Sequence, residues 1–215
     1  MLERVASRAA RARLLDAVVV ATTTDVRDDA VVRECERIGV PSFRGSENDV
    51  LDRYYGAARA FDAGTVVRIT SDCPLIDPKL VDRVVGELAS QRADYASNTL
   101  VLSYPRGLDA EAFPMASLAT AWEEATESYE RVHVTPFLYR RPERFKLVNV
   151  ACAEDASSLR WTVDTPADLE LVRSIFDRAG PGADPAWEDV LAIVRREPAL
   201  REINAHVRQK ALEEG

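Results

Sequence analysis

Short apolar runs alternate with amphipathic stretches along most of this chain, a rhythm that predicts strands and helices in turn. Leu2, Val5, Ala9 and Leu14 recur at helical spacing, so residues 1–15 read as a helix. Residues 16–22 (D-A-V-V-V-A-T) read as a buried strand. Asp28 and Asp29 then suit a helix N-terminus and Gly39 its stop. Residues 40–43 form a short strand, and Ser46 with Asp49 resembles a capping box opening a helix to about Phe61. Residues 65–70 (T-V-V-R-I-T) are the next strand, and Asp77 with Pro78 starts a helix running to about Ser90. Two short strands are expected within 95–113, around a Tyr-Pro-Arg-Gly turn. Helices at 115–125 and 130–139 and strands at 145–150 and 159–163 follow. Thr165, Pro166 and Asp168 open a strong helix.

This alternation predicts an α/β fold: a mostly parallel sheet with helices on both faces. The α/β domain would span residues 1–178. A Gly/Pro-rich linker, 179–185, would lead to a C-terminal helical extension, 186–215, broken near Pro198. In that extension Trp187, Leu191, Val194, Leu200 and Ile203 make an apolar stripe, suited either to a homodimer contact or to packing back on the same domain.

At 215 residues the chain suits one well-buried domain. A net charge of −8 argues against a protein that coats nucleic acid, though not against one phosphate pocket. The apolar runs are far shorter than a membrane span. The Arg/Ala-rich opening could be read as a transit peptide, but its helical spacing favours an ordinary helix. Cys35, Cys73 and Cys152 form no C-x-x-C pair, so neither a disulfide framework nor a structural zinc site is indicated, and the cytoplasm is the default location.

Open α/β sheets bind ligands beyond the carboxyl ends of their strands, so the segments just after predicted strands are where chemistry is sought. In 43–55, Gly45 permits a tight turn, Ser46 caps the helix behind it, and Arg44 and Arg53 could address phosphate or base edges; solvated charges at a helix entry are the plainer reading. In 67–77, Asp72 sits just past a buried strand, placed for a hard cation such as Mg2+ or simply for nearby backbone amides. In 159–169 a strand delivers Asp164 before a capped helix, with Asp168 better suited to the capping box than to a ligand. Two strand-end carboxylates suit phosphoryl chemistry, which needs little beyond positioning and cation charge. With only His133 and His206, a multi-histidine metal site is excluded, and no nucleophile elbow or Walker loop is present. His133 could face a substrate, although a lone helix histidine is more often structural.

The strings V-V-A-T-T-T (19–24), F-R-G-S-E-N-D-V-L-D-R-Y (43–54), R-I-T-S-D-C-P-L-I-D-P (68–78), Y-P-R-G-L-D-A-E-A-F (104–113), Y-E-R-V-H-V-T-P (129–136), R-W-T-V-D-T-P-A-D-L-E-L-V (160–172) and E-I-N-A-H-V-R-Q-K (202–210) resemble the spore-coat polysaccharide cytidylyltransferase family. That family is related to the synthetases of CMP-sialate and CMP-3-deoxy-manno-octulosonate. The resemblance implies a Rossmann-like nucleotidyltransferase fold, CTP and a sugar or sugar acid as substrates, Mg2+, and release of pyrophosphate. It places Asp72 and Asp164 as metal-binding carboxylates, Arg44, Ser46 and Arg53 on the nucleotide side, and Arg106, Asp109, Glu111 and His133 on the sugar side.

Members of that family usually begin with a strand and a loop resembling Q-A-R-M-G-S-T-R-L-P-G-K. Met1-Leu-Glu-Arg-Val resembles the helix that follows it. The expectation is therefore a sheet short of one central strand, with unpaired backbone beside it, and little turnover by residues 1–215 alone. Two other readings stay open: a nucleotide-sugar glycosyltransferase of similar fold, disfavoured because Ser71-Asp72-Cys73 lacks a second acid, and a non-catalytic binding or dimerisation module.

Overall fold

Alternation along three short strands decides how the molecule is layered. The computed structural model describes residues 1–209; residues 210–215 of the expected extension lie outside the described residues. In β4 (Tyr95–Ser97), β5 (Glu111–Pro114) and β6 (Leu147–Asn149), successive side chains enter two different cores. Ala96, Ala112 and Val148 join one core with α4 (Pro78–Gln91), α8 (Pro166–Ala179) and α9 (Trp187–Arg196). Tyr95, Phe113 and Leu147 join the other with α3 (Val50–Ala60), α5 (Met115–Glu124) and α7 (Pro136–Tyr139). Helices thus cover both faces, as the sequence pattern predicts.

The strand pairing is less parallel than expected. Parallel β1 (Val20–Thr23) and β2 (Ser42–Gly45) form a two-stranded sheet covered by α3 and, at β1, by α2 (Asp29–Ile38), with α1 (Leu2–Ala9) packed on α2 and α4. The second sheet has the order β3-β5-β4-β6, where β3 is Thr65–Arg68. Here β5 runs antiparallel to both neighbours, and β4 pairs with β6 in parallel. The reason lies in the 98–110 connection. It carries no helix to cross the sheet, so the chain re-enters it in the opposite direction. Among the described residues β1 pairs only with β2 and β3 only with β5.

Several helix ends follow local chemistry. Gly39 stops α2 in the left-handed conformation at φ 69°, and Asp77 caps α4 by accepting from the Lys79 backbone N–H at 2.8 Å. The Thr165–Asp168 capping box opens α8 with both reciprocal bonds made. Three expectations need correction. Ser46 does not cap α3: it accepts from the Asp49 N–H at 3.0 Å, and Asp49 itself is the cap, bonded to the Asp52 N–H. The helix expected over 130–139 is two, α6 (Ser128–His133) and α7. The break falls at Val134, which turns to φ 74°, and Pro136 opens α7 at its first turn. Residues 159–163 form no strand, only an extended segment with one bridge, Arg106 to Arg160.

The apolar stripe of the extension packs back on the domain. Val190, Leu191, Val194 and Leu200 are buried in the same core as Leu80, Trp161 and Leu171, with Trp187 and Ile203 against it. The Gly/Pro segment ahead of α9 is pinned rather than loose. Asp184 pairs with both Arg8 and Arg11, and Arg8, 2 % exposed, also donates to the carbonyls of Ile76 and Pro185. Among the described residues no helix is long and apolar enough to cross a membrane.

Candidate functional site

The carboxyl end of β3 and the start of β5 meet because these strands are antiparallel, with Arg68 opposite Glu111. That register gathers Asp72, Asp109 and Glu111 at one edge of the sheet. Arg68 is ion-paired with Glu111, which also accepts from the Tyr95 hydroxyl at 2.6 Å and the Thr135 hydroxyl at 2.5 Å. Burial opposes the Arg68 charge, but the Glu111 carboxylate outweighs it and raises the Arg68 pKa. Glu111 is therefore buried with both oxygens engaged, and it fixes the β3–β5 end.

Asp109 differs. Desolvation raises its pKa to about 6, against the pull of Arg106, with Glu111 and Asp72 adding repulsion. The same acidic surroundings, after desolvation, push the buried Cys73 thiol well above its ordinary range, so it stays protonated beside Asp72.

Asp72 and Asp164 come together through the backbone. The Val163 N–H donates to the Asp72 carbonyl at 2.9 Å, and the Thr162 hydroxyl donates to Asp72 Oδ2 at 2.9 Å. One residue on, Asp164 Oδ2 accepts from the Arg160 guanidinium at 2.5 Å. Arg160, Thr162 and Asp164 alternate along an extended segment, and two of its side chains each engage one oxygen of a carboxylate. Gly107 makes the approach possible. At φ 99°, a Cβ there would lie 2.3 Å from the Thr162 nitrogen, and the flanking Arg106 exchanges backbone bonds with Leu159 and Trp161.

The nucleotide-side candidates occupy another stretch of the molecule. Arg44 donates to the carbonyls of Thr23 and Asp25, both at 2.8 Å, and pairs with Asp29, contacts that use three of its five N–H donors and fix its orientation. Arg53 donates to the Ser46 carbonyl at 2.6 Å, while its buried Nε has no protein partner. Tyr54, beside it on α3, is raised in pKa chiefly by burial and senses Arg68, Glu111, Arg53 and Asp72, which places α3 alongside the acidic edge. His133 ends α6, a helix tied to α3 where Arg131 meets Asp49 at 2.5 Å.

Two hollows, of about 480 and 730 Å3, lie elsewhere, one at Tyr55, Arg59 and Met115 and the other between α4 and α9. Among the described residues no group of three or more His, Cys, Asp or Glu is set to hold a metal. Asp72 and Asp164 offer oxygen ligands of the hard kind that Mg2+ takes together with water and substrate phosphate. Arg160, Thr162 and Asn204 are the site residues the sequence reading missed. The only signal for them was their place in the strings around Asp164 and in the tail.

A family model described as cytidylyltransferase matches residues 1–176. An uncharacterized protein of Methanocaldococcus jannaschii is 35 % identical, the match covering 100 % of this chain and 87 % of that one. The spore coat polysaccharide biosynthesis protein SpsF of Bacillus subtilis is 29 % identical over 85 % of this chain and 76 % of its own. A solved cytidylyltransferase from Leptospira borgpetersenii superposes with a TM-score of 0.89 at 29 % identity, covering 98 % of this chain and 87 % of that chain. The CMP:2-keto-3-deoxy-manno-octonic acid synthetase solved with CTP superposes at 0.62 with 16 % identity, covering 82 % of this chain and 87 % of that one, a likeness of fold alone.

Proposed function

Because the chain belongs to the cytidylyltransferase family, we propose that it transfers a cytidylyl group from CTP to a hydroxyl of a sugar or sugar acid for surface polysaccharide synthesis in the cytoplasm. The observation that carries this reading is the bond between the Val163 N–H and the Asp72 carbonyl, which sets the loop of Asp72 beside the extended segment that leads into Asp164.

In the reaction, the sugar oxygen forms a bond to the α-phosphorus as the α–β bridging bond breaks. Pyrophosphate leaves with the electron pair, and the hydroxyl loses its proton. Asp72 and Asp164 would hold Mg2+, which when bound supplies positive charge against the phosphate oxygens. Arg53 and Ser46 on the α3 side would face the nucleotide, with Arg44 bracing the ends of β1 and β2. Arg106 and Asp109 would meet the sugar; Glu111 would keep their strand in place, and His133 would approach from α6.

Pyrophosphate release from CTP with 3-deoxy-manno-octulosonate and other sugar acids tests the reading. Release that depends on both CTP and the sugar acid is expected. Asp72→Asn and Asp164→Asn should each lower kcat by about a hundredfold or more. Full activity of either variant, or free nucleoside diphosphate released from a nucleotide sugar, would overturn it.

A further inference from the structure

Asp164 is half exposed, yet one of its oxygens is held by a chain of contacts that begins far away in sequence. Asn204, 5 % exposed and just past α10 (Ala199–Glu202), donates its amide to the Arg160 carbonyl at 3.0 Å and to Asp168 Oδ1 at 2.8 Å. Asp168 is fully buried and receives both Nε and a terminal nitrogen of Arg160, at 2.9 and 3.1 Å. The same terminal nitrogen reaches on to Asp164 Oδ2. Gln209 accepts from the other one at 2.5 Å.

We infer that Asn204 is a positioning residue that acts through Asp168 and Arg160 to orient the Asp164 carboxylate for its cation, an inference that rests on the metal role proposed above. An exposed aspartate would otherwise sample several rotamers. Here the planar fork of Arg160 is locked on Asp168, Asn204 grips both the Arg160 backbone and Asp168, and Asp164 inherits that orientation. Arg160 could instead act as a rival cation. Its charge is already matched by Asp168, however, so Arg160, Asp164 and Asp168 together remain net negative and still attract a divalent ion. Partners of metal ligands that fix their orientation affect affinity strongly when removed.

Mn2+ titration of the full 215-residue chain, read by water-proton relaxation, tests this without turnover. Asn204→Ala is expected to weaken Mn2+ about tenfold at a temperature where melting curves show the variant folded. Arg160→Gln is expected to weaken it too. Unchanged Mn2+ affinity in Asn204→Ala, even with a lowered Tm, reduces Asn204 to a structural role and overturns the inference. Tighter binding by Arg160→Gln makes the arginine a competitor and overturns it as well. If Asn204→Ala fails to fold, Arg160→Gln carries the test alone, and the reverse. Asp72→Asn and Asp164→Asn run alongside: if neither alters Mn2+ binding, the metal site itself fails, whereas normal effects there with no effect of Asn204→Ala sink only the positioning role.

Discussion

Asp109 is half-buried among Arg106, Glu111 and Asp72, and its pKa of about 6 is a property of that neighbourhood, led by desolvation. A folded pKa above the unfolded one means that the native chain holds the extra proton between about pH 4 and 6, so stability declines as pH rises through that window. Asp109→Asn removes the cost. At pH 7.5 it should be more stable than the parent by on the order of 2 kcal/mol in urea unfolding, the two curves converging below about pH 4. Parallel pH profiles for parent and variant would show that the carboxyl is not raised. The residue itself stood out in the sequence, in the Pro-Arg-Gly-Leu-Asp run. Its altered acidity did not, because burial acts there together with the charges of Arg106, Glu111 and Asp72, and no local string lists all of these.

At the scale of elements, capping was readable because a cap and its amides lie within three residues of one another, as Thr165 and Asp168 do. Ser46 and Asp49 presented the same spacing, and the helix starts one cap later because Asp49 both bonds the Asp52 N–H and pairs with Arg131 of α6, a contact from 82 positions away. The extended 159–163 segment has strand composition but meets only the Arg106 backbone, where Gly107 lets the two chains touch. Gly107→Ala would place a Cβ against the Thr162 backbone in a left-handed conformation. A loss of about 3 kcal/mol is expected, read as a fall in Tm of roughly 6–12 °C. A fall of less than a degree would mean that the segments separate at no cost.

Over the whole molecule, the C-terminal helices are part of the fold rather than an appendage. The Trp187 N–H donates to Asp77 Oδ2 at 3.0 Å, so α9 is fastened to the cap of α4, five residues beyond Asp72. Asp184 holds Arg8 and Arg11 of the first helical segment. Asp184→Ala would leave the buried Arg8 guanidinium short of its counter-charge, at a cost of about 3 kcal/mol. Asp184→Asn, which keeps an acceptor, should lose less. Thermal denaturation of the two variants separates them, and equal melting points for both and the parent would remove Arg8 from the forces that dock the extension.

The sequence by itself determined most of the order of strands and helices, most caps, the family likeness and the candidacy of Asp72 and Asp164. All of these follow from periodicity or from residues a few places apart. Only the tertiary structure decided that β5 runs against its neighbours, that the strands divide into two sheets, that Asp109 is hard to ionise, and that Asn204 and Asp168 grip Arg160 beside Asp164. Each of these depends on groups brought together from distant parts of the chain, and the field and burial they create belong to the assembled packing rather than to any one segment.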